Sequence, residues 1–86
     1  MTVDQNLLKV ILSIDNLDDL ELFFTDMFTP SELEALSLRW KLLTDLNNGL
    51  PQRKIAEKYG ISLCKITRGS KLLKNRSSFV SKVFRG

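Results

Sequence analysis

Apolar residues recur along this chain at the spacing of helices, and no stretch alternates apolar and polar residues as a half-buried strand does. Between residues 4 and 14 they are so frequent that the predicted first helix is apolar on more than one side, and such a helix needs several packing partners. Asp15 and Asn16 then interrupt the pattern. A second helix is predicted from about Leu17 to Met27, with acidic residues in its first turn, where the helix dipole favours them. The chain is therefore predicted to be all-α.

The third predicted helix has the clearest start signal in the chain, the TPSE motif at residues 29–32. Thr29 can cap the helix, proline suits the first helical position, and Glu32 completes a capping box. The helix is expected to run to about residue 47, with an apolar stripe that consists of Leu33, Leu36, Trp40, Leu43 and Leu46. Core packing is the expected role of Trp40.

Three further helices are predicted after the third. Pro51 can open a fourth helix, and Gly60 can end it in the left-handed conformation that costs glycine nothing. Ser62 can cap a fifth helix over about residues 63–73, and a short sixth helix is expected over about residues 78–84. The pattern thus predicts a six-helix chain.

Residues 52–74 fit a helix-turn-helix, in which two short helices cross at a tight turn. Ala56 lies at the crossing, and the larger residues that point inward are Ile55, Tyr59, Ile61 and Ile66. The exposed face of the second helix then carries Leu63, Cys64, Lys65, Thr67 and Arg68. A DNA-binding unit of this kind places the N-terminal residues of its second helix in the major groove, where apolar groups contact thymine methyls and Lys65 or Thr67 can reach base edges or phosphates. Helical hairpins of this composition also occur as packing units, so the motif alone leaves that alternative open.

The charge distribution favours the DNA-binding interpretation. Residues 1–36 contain eight acidic residues and one basic residue, for a net charge of −7, whereas residues 37–86 contain twelve basic and two acidic residues, for +10; together they give the chain's net charge of +3. A basic half on a small domain is the expected footprint of a protein that binds a polyanion. A solvated basic face that binds nothing is the alternative.

The length of the chain indicates a single domain, residues 1–86. Its composition favours a homodimer over a monomer. A chain of 86 residues buries only about 60% of its unfolded surface when it folds alone. Yet 43% of this chain is hydrophobic. Burial against a second copy is therefore expected.

Composition also excludes several classes of protein. The chain has no His and a single Cys, Cys64, which rules out an imidazole base, a histidine-ligated metal, an internal disulfide and a cysteine zinc site. The longest apolar run, residues 10–12, is far too short to cross a membrane, and the first residues lack the pattern of a signal peptide. We expect a non-enzymatic cytoplasmic protein without a metal cofactor or a membrane partner.

Two segments, FTPSELEAL and LRWKLLTDLNNGLPQRKIAEKYGISLCKITRGSKLLK, resemble the tryptophan repressor family. They span residues 28–74, and their most specific pieces include Gln52-Arg53 and the pentapeptide ITRGS at residues 66–70. The resemblance implies an all-α homodimer with interleaved chains and a helix-turn-helix at residues 52–74. It also implies that the protein binds double-stranded operator DNA with L-tryptophan as corepressor and shuts off tryptophan-related genes.

The resemblance places the corepressor between the core and the DNA-reading helices. The indole would lie between the guanidinium groups of Arg39 and Arg68, because planar cations suit an aromatic face. Arg68 would also hold the ligand carboxylate, together with the backbone near Gly69. Thr29 and nearby carbonyls of the partner chain would receive the ammonium group. The apolar wall would be formed by Leu42 and Leu43.

The resemblance also implies a link between ligand binding and DNA binding. Bound tryptophan would wedge the two reading heads outward, so that the recognition helices meet successive major grooves about 34 Å apart. Helix amides at Ser62 and Leu63 could hold a phosphate. The residues expected to contact DNA are Gln52, Arg53, Ser62, Leu63, Cys64, Lys65, Thr67 and Lys74.

Two departures from the family pattern leave other functions open. The loop at residues 49–51 is one residue shorter than in the best-known member, and Leu72 stands where that member has a serine that helps to hold the amino group of the ligand. Leucine cannot make that hydrogen bond, so a tryptophan-independent DNA-binding regulator is an alternative. An alternative of a different class is a helical protein–protein interaction module, whose basic half would bind an acidic protein and whose acidic half could bind a basic partner.

Overall fold

The computed structural model describes residues 2–86, which form six helices and no strand. This confirms the all-α fold class. Met1, which the predicted domain of residues 1–86 includes, lies outside the described residues. The helices are α1 (Gln5–Ser13), α2 (Leu17–Met27), α3 (Pro30–Asn47), α4 (Gln52–Tyr59), α5 (Leu63–Lys74) and α6 (Phe79–Arg85).

The described residues fall into two compact units that divide inside α3, one up to Ala35 and one from Leu36 onward. The first unit contains α1, α2 and the first turns of α3, and the second contains the rest of α3 with α4, α5 and α6. The single-domain organisation of the chain stays a prediction.

The helices of the first unit begin at side-chain caps. The Asp4 carboxylate accepts hydrogen bonds from the backbone N–H groups of Asn6 at 2.8 Å and Leu7 at 3.1 Å. The Asn16 side-chain oxygen accepts from the N–H of Asp19 at 2.8 Å. Such caps satisfy helix amides that have no partner within the helix. The predicted break at Asn16 is confirmed as the cap that starts α2.

The predicted capping box at the start of α3 is also formed. The Thr29 N–H donates to Glu32 Oε1 at 2.9 Å, and the Glu32 N–H donates to Thr29 Oγ1 at 3.1 Å. This reciprocal pair fixes the first turn, with Pro30 at the first helical position. The helix ends at Asn47, and Gly49 turns the chain with a φ of 88°.

The first unit leaves about half of its apolar side chains exposed, and no residue of α1 or α2 is buried within the chain. Leu12 is 86% exposed and Leu17 is 82% exposed. Its closest aromatic pair, Phe24 and Phe28, joins near neighbours, with ring centroids 5.2 Å apart. So much exposed apolar surface on two short helices is typical of a protein–protein interface.

The second unit has a small apolar core built by four helices. Ile55 of α4 and Ile66 of α5 are fully buried, and Leu42 and Leu43 of α3 are nearly so. Around them pack Leu46, Leu50, Ala56, Tyr59, Ile61, Leu73, Val80 and Phe84. Full burial of one large aliphatic side chain contributes about 1.5–3 kcal/mol. The core, which includes all the residues predicted to point inward in the helix-turn-helix, therefore holds α4 and α5 on α3.

Trp40 packs differently from the sequence-based expectation. Its indole stacks on the Phe84 ring of α6, with centroids 4.9 Å apart and planes at 21°. Yet 51% of the residue remains exposed. The predicted core packing of Trp40 therefore holds only for the face of the indole that meets Phe84. The core of a single chain does not cover the whole apolar stripe of α3.

Candidate functional site

A tight turn joins α4 to α5. Gly60 adopts the left-handed backbone conformation, with φ of 63° and ψ of 39°. The N–H groups of Gly60 and Ile61 both donate to the Ala56 carbonyl, the second at 3.2 Å. Glycine takes this conformation without the steric penalty that a side chain brings. Since Ile55 and Ile66 meet in the core beneath the turn, the two helices have the form of a helix-turn-helix unit.

Within residues 2–86, α4 and α5 are the two helices whose N-termini no side chain caps. Pro51 precedes α4 and Ser62 precedes α5, and neither side chain accepts a hydrogen bond from the first helical turn. Side chains cap the other four helices. Ser62 occupies its predicted position but does not make the predicted cap hydrogen bond. Uncapped amides at a helix N-terminus can bind phosphate oxygens.

The first turn of α5 presents an exposed surface. Leu63 is 46% exposed, and Cys64 and Lys65 are exposed beside it, the cysteine as a free thiol. Two further residues predicted to contact DNA, Arg53 on α4 and Lys74 at the end of α5, are exposed as well. These five side chains are accessible to a partner, and their contacts with DNA stay a prediction.

Thr67 is held between the two helices of the unit. Its hydroxyl donates to Oε1 of Gln52, the first residue of α4, at 3.1 Å, and both residues are half-buried. Thr67 was predicted on the exposed face of the second helix, and it is less exposed than Leu63, Cys64, Lys65 and Arg68 of the same prediction. The bond joins two residues that were predicted separately as DNA contacts. With its oxygen engaged by Thr67, the Gln52 amide keeps its N–H donors for an acceptor such as a phosphate or a base edge.

A polar cluster ties α4 to α3 and was missed by the sequence analysis. The Asp45 carboxylate accepts a hydrogen bond from the Tyr59 hydroxyl at 2.6 Å and from Lys58 Nζ at 3.1 Å. Lys58 Nζ also lies 5.1 Å from the centroid of the Tyr59 ring. Lys58–Asp45 is the one ion pair that the structure describes in residues 2–86. Partners 13 and 14 residues apart leave no periodic signal, so only the structure reveals this cluster.

The cluster shifts the ionisation of its members. The hydrogen bond from Tyr59, followed by that from Lys58, holds the pKa of Asp45 below its usual range. The same bond to Asp45, followed by partial burial, raises the pKa of the Tyr59 hydroxyl. The charged carboxylate and the neutral phenol therefore stabilise each other where α3 meets α4.

The structure brings together three residues of the predicted ligand site. Gly69 of α5 is buried against α3, and a Cβ at this position would lie 2.9 Å from Cδ1 of Leu42 and 3.3 Å from Cδ2 of Leu43. Because the two helices approach so closely, a methyl group at this position would force the Leu42 side chain to shift. Leu42 and Leu43 are each only 5% exposed, so they serve first as core residues and offer little free surface to a ligand.

The other predicted ligand residues are accessible. Arg39 and Arg68 are exposed, and neither takes part in an ion pair or a side-chain hydrogen bond in the part of the chain that the structure describes. Thr29 belongs to the first unit, where its hydroxyl oxygen accepts the capping hydrogen bond from Glu32. The assignment of these residues to a tryptophan site stays a prediction.

Comparison with known proteins decides the family. The model of the Trp repressor protein family matches residues 3–85. This chain belongs to the Trp repressor family. A Trp operon repressor homolog of Xylella fastidiosa (strain M23) is 36% identical over 72 residues, which cover 83% of this chain and 78% of the relative.

Two other relatives of the chain carry the same name. The Trp operon repressor homolog of Vibrio parahaemolyticus is 36% identical over 74 residues, covering 85% of this chain and 72% of the relative. The homolog of Photobacterium profundum is 48% identical over 52 residues, covering 59% and 50%. The search of solved structures returned no significant match. Membership of the Trp repressor family and the names of these relatives support a role for this chain as a transcriptional repressor.

Residues 2–86 contain neither a helix that could cross a membrane nor a cluster of metal ligands. None of the described helices combines the length and the apolarity needed to cross a bilayer. Among the same residues, no three or more His, Cys, Asp or Glu side chains converge as a set of metal ligands.

Proposed function

We propose that this chain is an L-tryptophan-dependent transcriptional repressor, which binds double-stranded operator DNA as a homodimer in the cytoplasm and shuts off tryptophan-related genes. The observation that carries the proposal is the helix-turn-helix of α4 and α5, whose second helix exposes Leu63, Cys64 and Lys65 at its first turn. N-terminal residues of such a helix are the ones that read bases in the major groove.

Electrostatics support DNA as the partner. The second unit contains twelve basic residues and two acidic ones, Asp45 and Glu57. Asp45 is neutralised by Lys58 within the unit. The uncapped amides that start α4 and α5 add donors for phosphates. The unit therefore offers base-edge contacts and phosphate contacts on the same pair of helices.

The position of Arg68 supports coupling to a small ligand that carries a carboxylate. Arg68 is exposed, whereas Gly69 beside it is buried against Leu42 and Leu43. A guanidinium group there can hold a carboxylate with two parallel hydrogen bonds and can also stack on an indole. Arg39, exposed on α3, is the proposed second face of the indole sandwich. A ligand held between α3 and α5 would then set the angle of the DNA-reading helix.

The exposed apolar surface of the first unit supports a homodimer with interleaved chains. No residue of α1 or α2 is buried in the single chain, and Leu12 and Leu17 are almost fully exposed. A second copy supplies the partners that helices apolar on several sides require. The proposed receptor of the ligand ammonium group, Thr29, would come from this second copy.

The proposal is tested by titrating the protein into operator DNA with and without L-tryptophan at one fixed salt concentration, because phosphate contacts make affinity depend steeply on salt. We expect tryptophan to tighten binding in the wild type and to have no effect on Arg68→Ala, which should remain a folded dimer. Lys71→Ala, an exposed substitution on the same helix, is the control and should keep the response.

The same titration separates the alternatives. Leu72, which is 37% exposed, offers no hydrogen bond to a ligand amino group. Equal DNA binding with and without tryptophan would therefore favour a tryptophan-independent regulator. Equal affinity for operator and random DNA, with or without the ligand, would show that the protein does not recognise a DNA sequence. That result would favour a protein–protein interaction module.

A further inference from the structure

The C-terminal part of the chain is positively charged throughout, and part of this charge lies outside the helix-turn-helix. After Glu57 no acidic residue occurs up to Gly86, whereas eight basic residues do. Three of these, Arg76, Lys82 and Arg85, lie beyond α5, in the turn that follows it and in α6. Like charges without neutralising carboxylates repel each other, so a polyanion that binds there relieves the repulsion.

Hydrogen bonds hold the turn between α5 and α6 in one shape. The Ser78 hydroxyl donates to the Leu72 carbonyl at 2.9 Å and accepts from the N–H of Ser81 at 3.1 Å, so it links the last turn of α5 to the first turn of α6. Between them, Asn75 Oδ1 accepts from the N–H and the hydroxyl of Ser77, at 3.2 and 2.7 Å. The turn is thus ordered by its own side chains.

A further hydrogen bond brings the positively charged Arg85 side chain to this turn. Nη2 of Arg85, in the last turn of α6, donates to the backbone carbonyl of Arg76 at 2.8 Å. The guanidinium of α6 is thereby held at the turn, next to Arg76 and close in sequence to Lys74, the last residue of α5. A guanidinium has five N–H donors, so this contact leaves most of them for another acceptor.

We infer that Arg76 and Arg85, with Lys82, form a second DNA-contacting segment that binds backbone phosphates beside the groove read by α5. The inference rests on the proposed function. Because α5 would enter the groove with its N-terminus, its C-terminal end and the following turn lie towards the groove edge, where phosphates run. Guanidinium groups match phosphate geometry with paired hydrogen bonds. The segment continues the DNA-binding surface from Lys74 and adds affinity without reading sequence.

The test measures the salt dependence of DNA binding for Arg76→Gln, Arg85→Gln and the double variant. The probe is double-stranded DNA that the wild type selects from a random-sequence library in the presence of L-tryptophan. Each lost phosphate contact lowers the slope of log K against log salt concentration by about 0.9. Because both chains of a dimer lose the contact, we expect each single substitution to reduce the slope by about 2 and to weaken binding equally on selected and random DNA.

Two controls isolate the segment from a general effect of charge. Lys9→Gln removes one positive charge from α1, in the other unit, and should leave the slope unchanged. Arg85→Lys keeps the charge and should retain most of the slope. A shorter duplex gives an independent readout: removing the flanking base pairs should weaken the wild type to the level of the double variant and leave the double variant unaffected.

The outcomes distinguish this inference from the proposed function. A wild type that binds the selected DNA, together with arginine variants of unchanged slope, overturns the second segment alone. The second segment is overturned as well if Lys9→Gln lowers the slope as much as the arginine substitutions do. A wild type that selects no DNA at all overturns both proposals.

Discussion

The hydroxyl of Tyr59, the last residue of α4, donates to the carboxylate of Asp45 on α3 at 2.6 Å. Lys58 donates to the same carboxylate at 3.1 Å. The first helix of the helix-turn-helix is thereby attached to α3 by polar contacts, while the second helix is attached to α3 by the close approach of Gly69 to Leu42. Both helices of the helix-turn-helix thus take their position from α3.

The Asp45–Tyr59 contact predicts how stability depends on pH. The folded-state pKa of Asp45 is lowered, so its contribution is present above the ordinary pKa of an aspartate, about 4, and is lost as pH falls through the lower folded value. The folded-state pKa of Tyr59 is raised, so its contribution is present below about 10 and is lost as pH rises through the higher folded value. We expect Tyr59→Phe to lower the Tm at pH 7.

The control for this prediction is a double-mutant cycle. Tyr59→Phe and Asp45→Asn should each lower the Tm at pH 7. The Tm of the double variant should fall by less than the sum of the two single decreases, because each single variant already breaks the shared hydrogen bond. A pH titration of stability should show the difference between wild type and Tyr59→Phe shrinking below pH 4. A constant difference across that range would mean that the phenol does not stabilise the charged carboxylate.

A second prediction concerns the hydrogen bond from Thr67 to Gln52. Thr67→Val keeps the shape of the side chain and removes the hydroxyl, so Gln52 loses the contact that orients its amide. A hydrogen bond of this kind contributes about 0.5–1.5 kcal/mol, and we expect DNA binding to weaken about fivefold for each chain of the dimer. Fluorescence anisotropy with labelled DNA measures the effect. Thr67→Ser, which keeps the hydroxyl, should bind as the wild type does, and equal losses in both variants would exclude an orienting role.

The sequence predicted those parts of the fold that depend on near neighbours. Two such features are the capping box of Thr29 and Glu32 and the left-handed Gly60. Each depends on residues within one helical turn, so it can be recognised from the sequence. The Asp45–Tyr59 and Thr67–Gln52 contacts join positions 14 and 15 residues apart, and they follow from how the helices pack. The same packing left Trp40 half-exposed. A pattern of apolar residues shows which side of a helix avoids water, but it does not show how much of that side one chain can cover.

A third prediction concerns the close approach of α5 to α3. Gly69→Ala adds a methyl group 2.9 Å from Leu42 Cδ1 and 3.3 Å from Leu43 Cδ2, and crowding a packed core costs about 1–3 kcal/mol. Alanine's better helix propensity offsets up to about 1 kcal/mol of this. We expect a net loss of about 1 kcal/mol in the free energy of unfolding, measured by urea denaturation.

The neighbouring leucine supplies the matched test. Leu42→Ala alone should be destabilising because it leaves a cavity in the core. In that background, Gly69→Ala should cost less than it does in the wild type, because its methyl group enters the space that the leucine has left. Strictly additive changes in the free energy of unfolding would show that the side chains at the two positions do not interact.

The last prediction concerns the apolar surface of α1. Leu12 is 86% exposed in the single chain, and in the proposed homodimer it lies against the second copy. Leu12→Asp would place an unpaired charge in an apolar interface, which costs several kcal/mol, so we expect sedimentation velocity to show a monomer with reduced helical content. Ser13→Asp introduces the same charge at the next, exposed position and should remain dimeric. If Leu12→Asp sediments as a dimer with wild-type stability, this face of α1 lies outside the interface, and the apolar surface of α2, beginning at Leu17, becomes the remaining candidate.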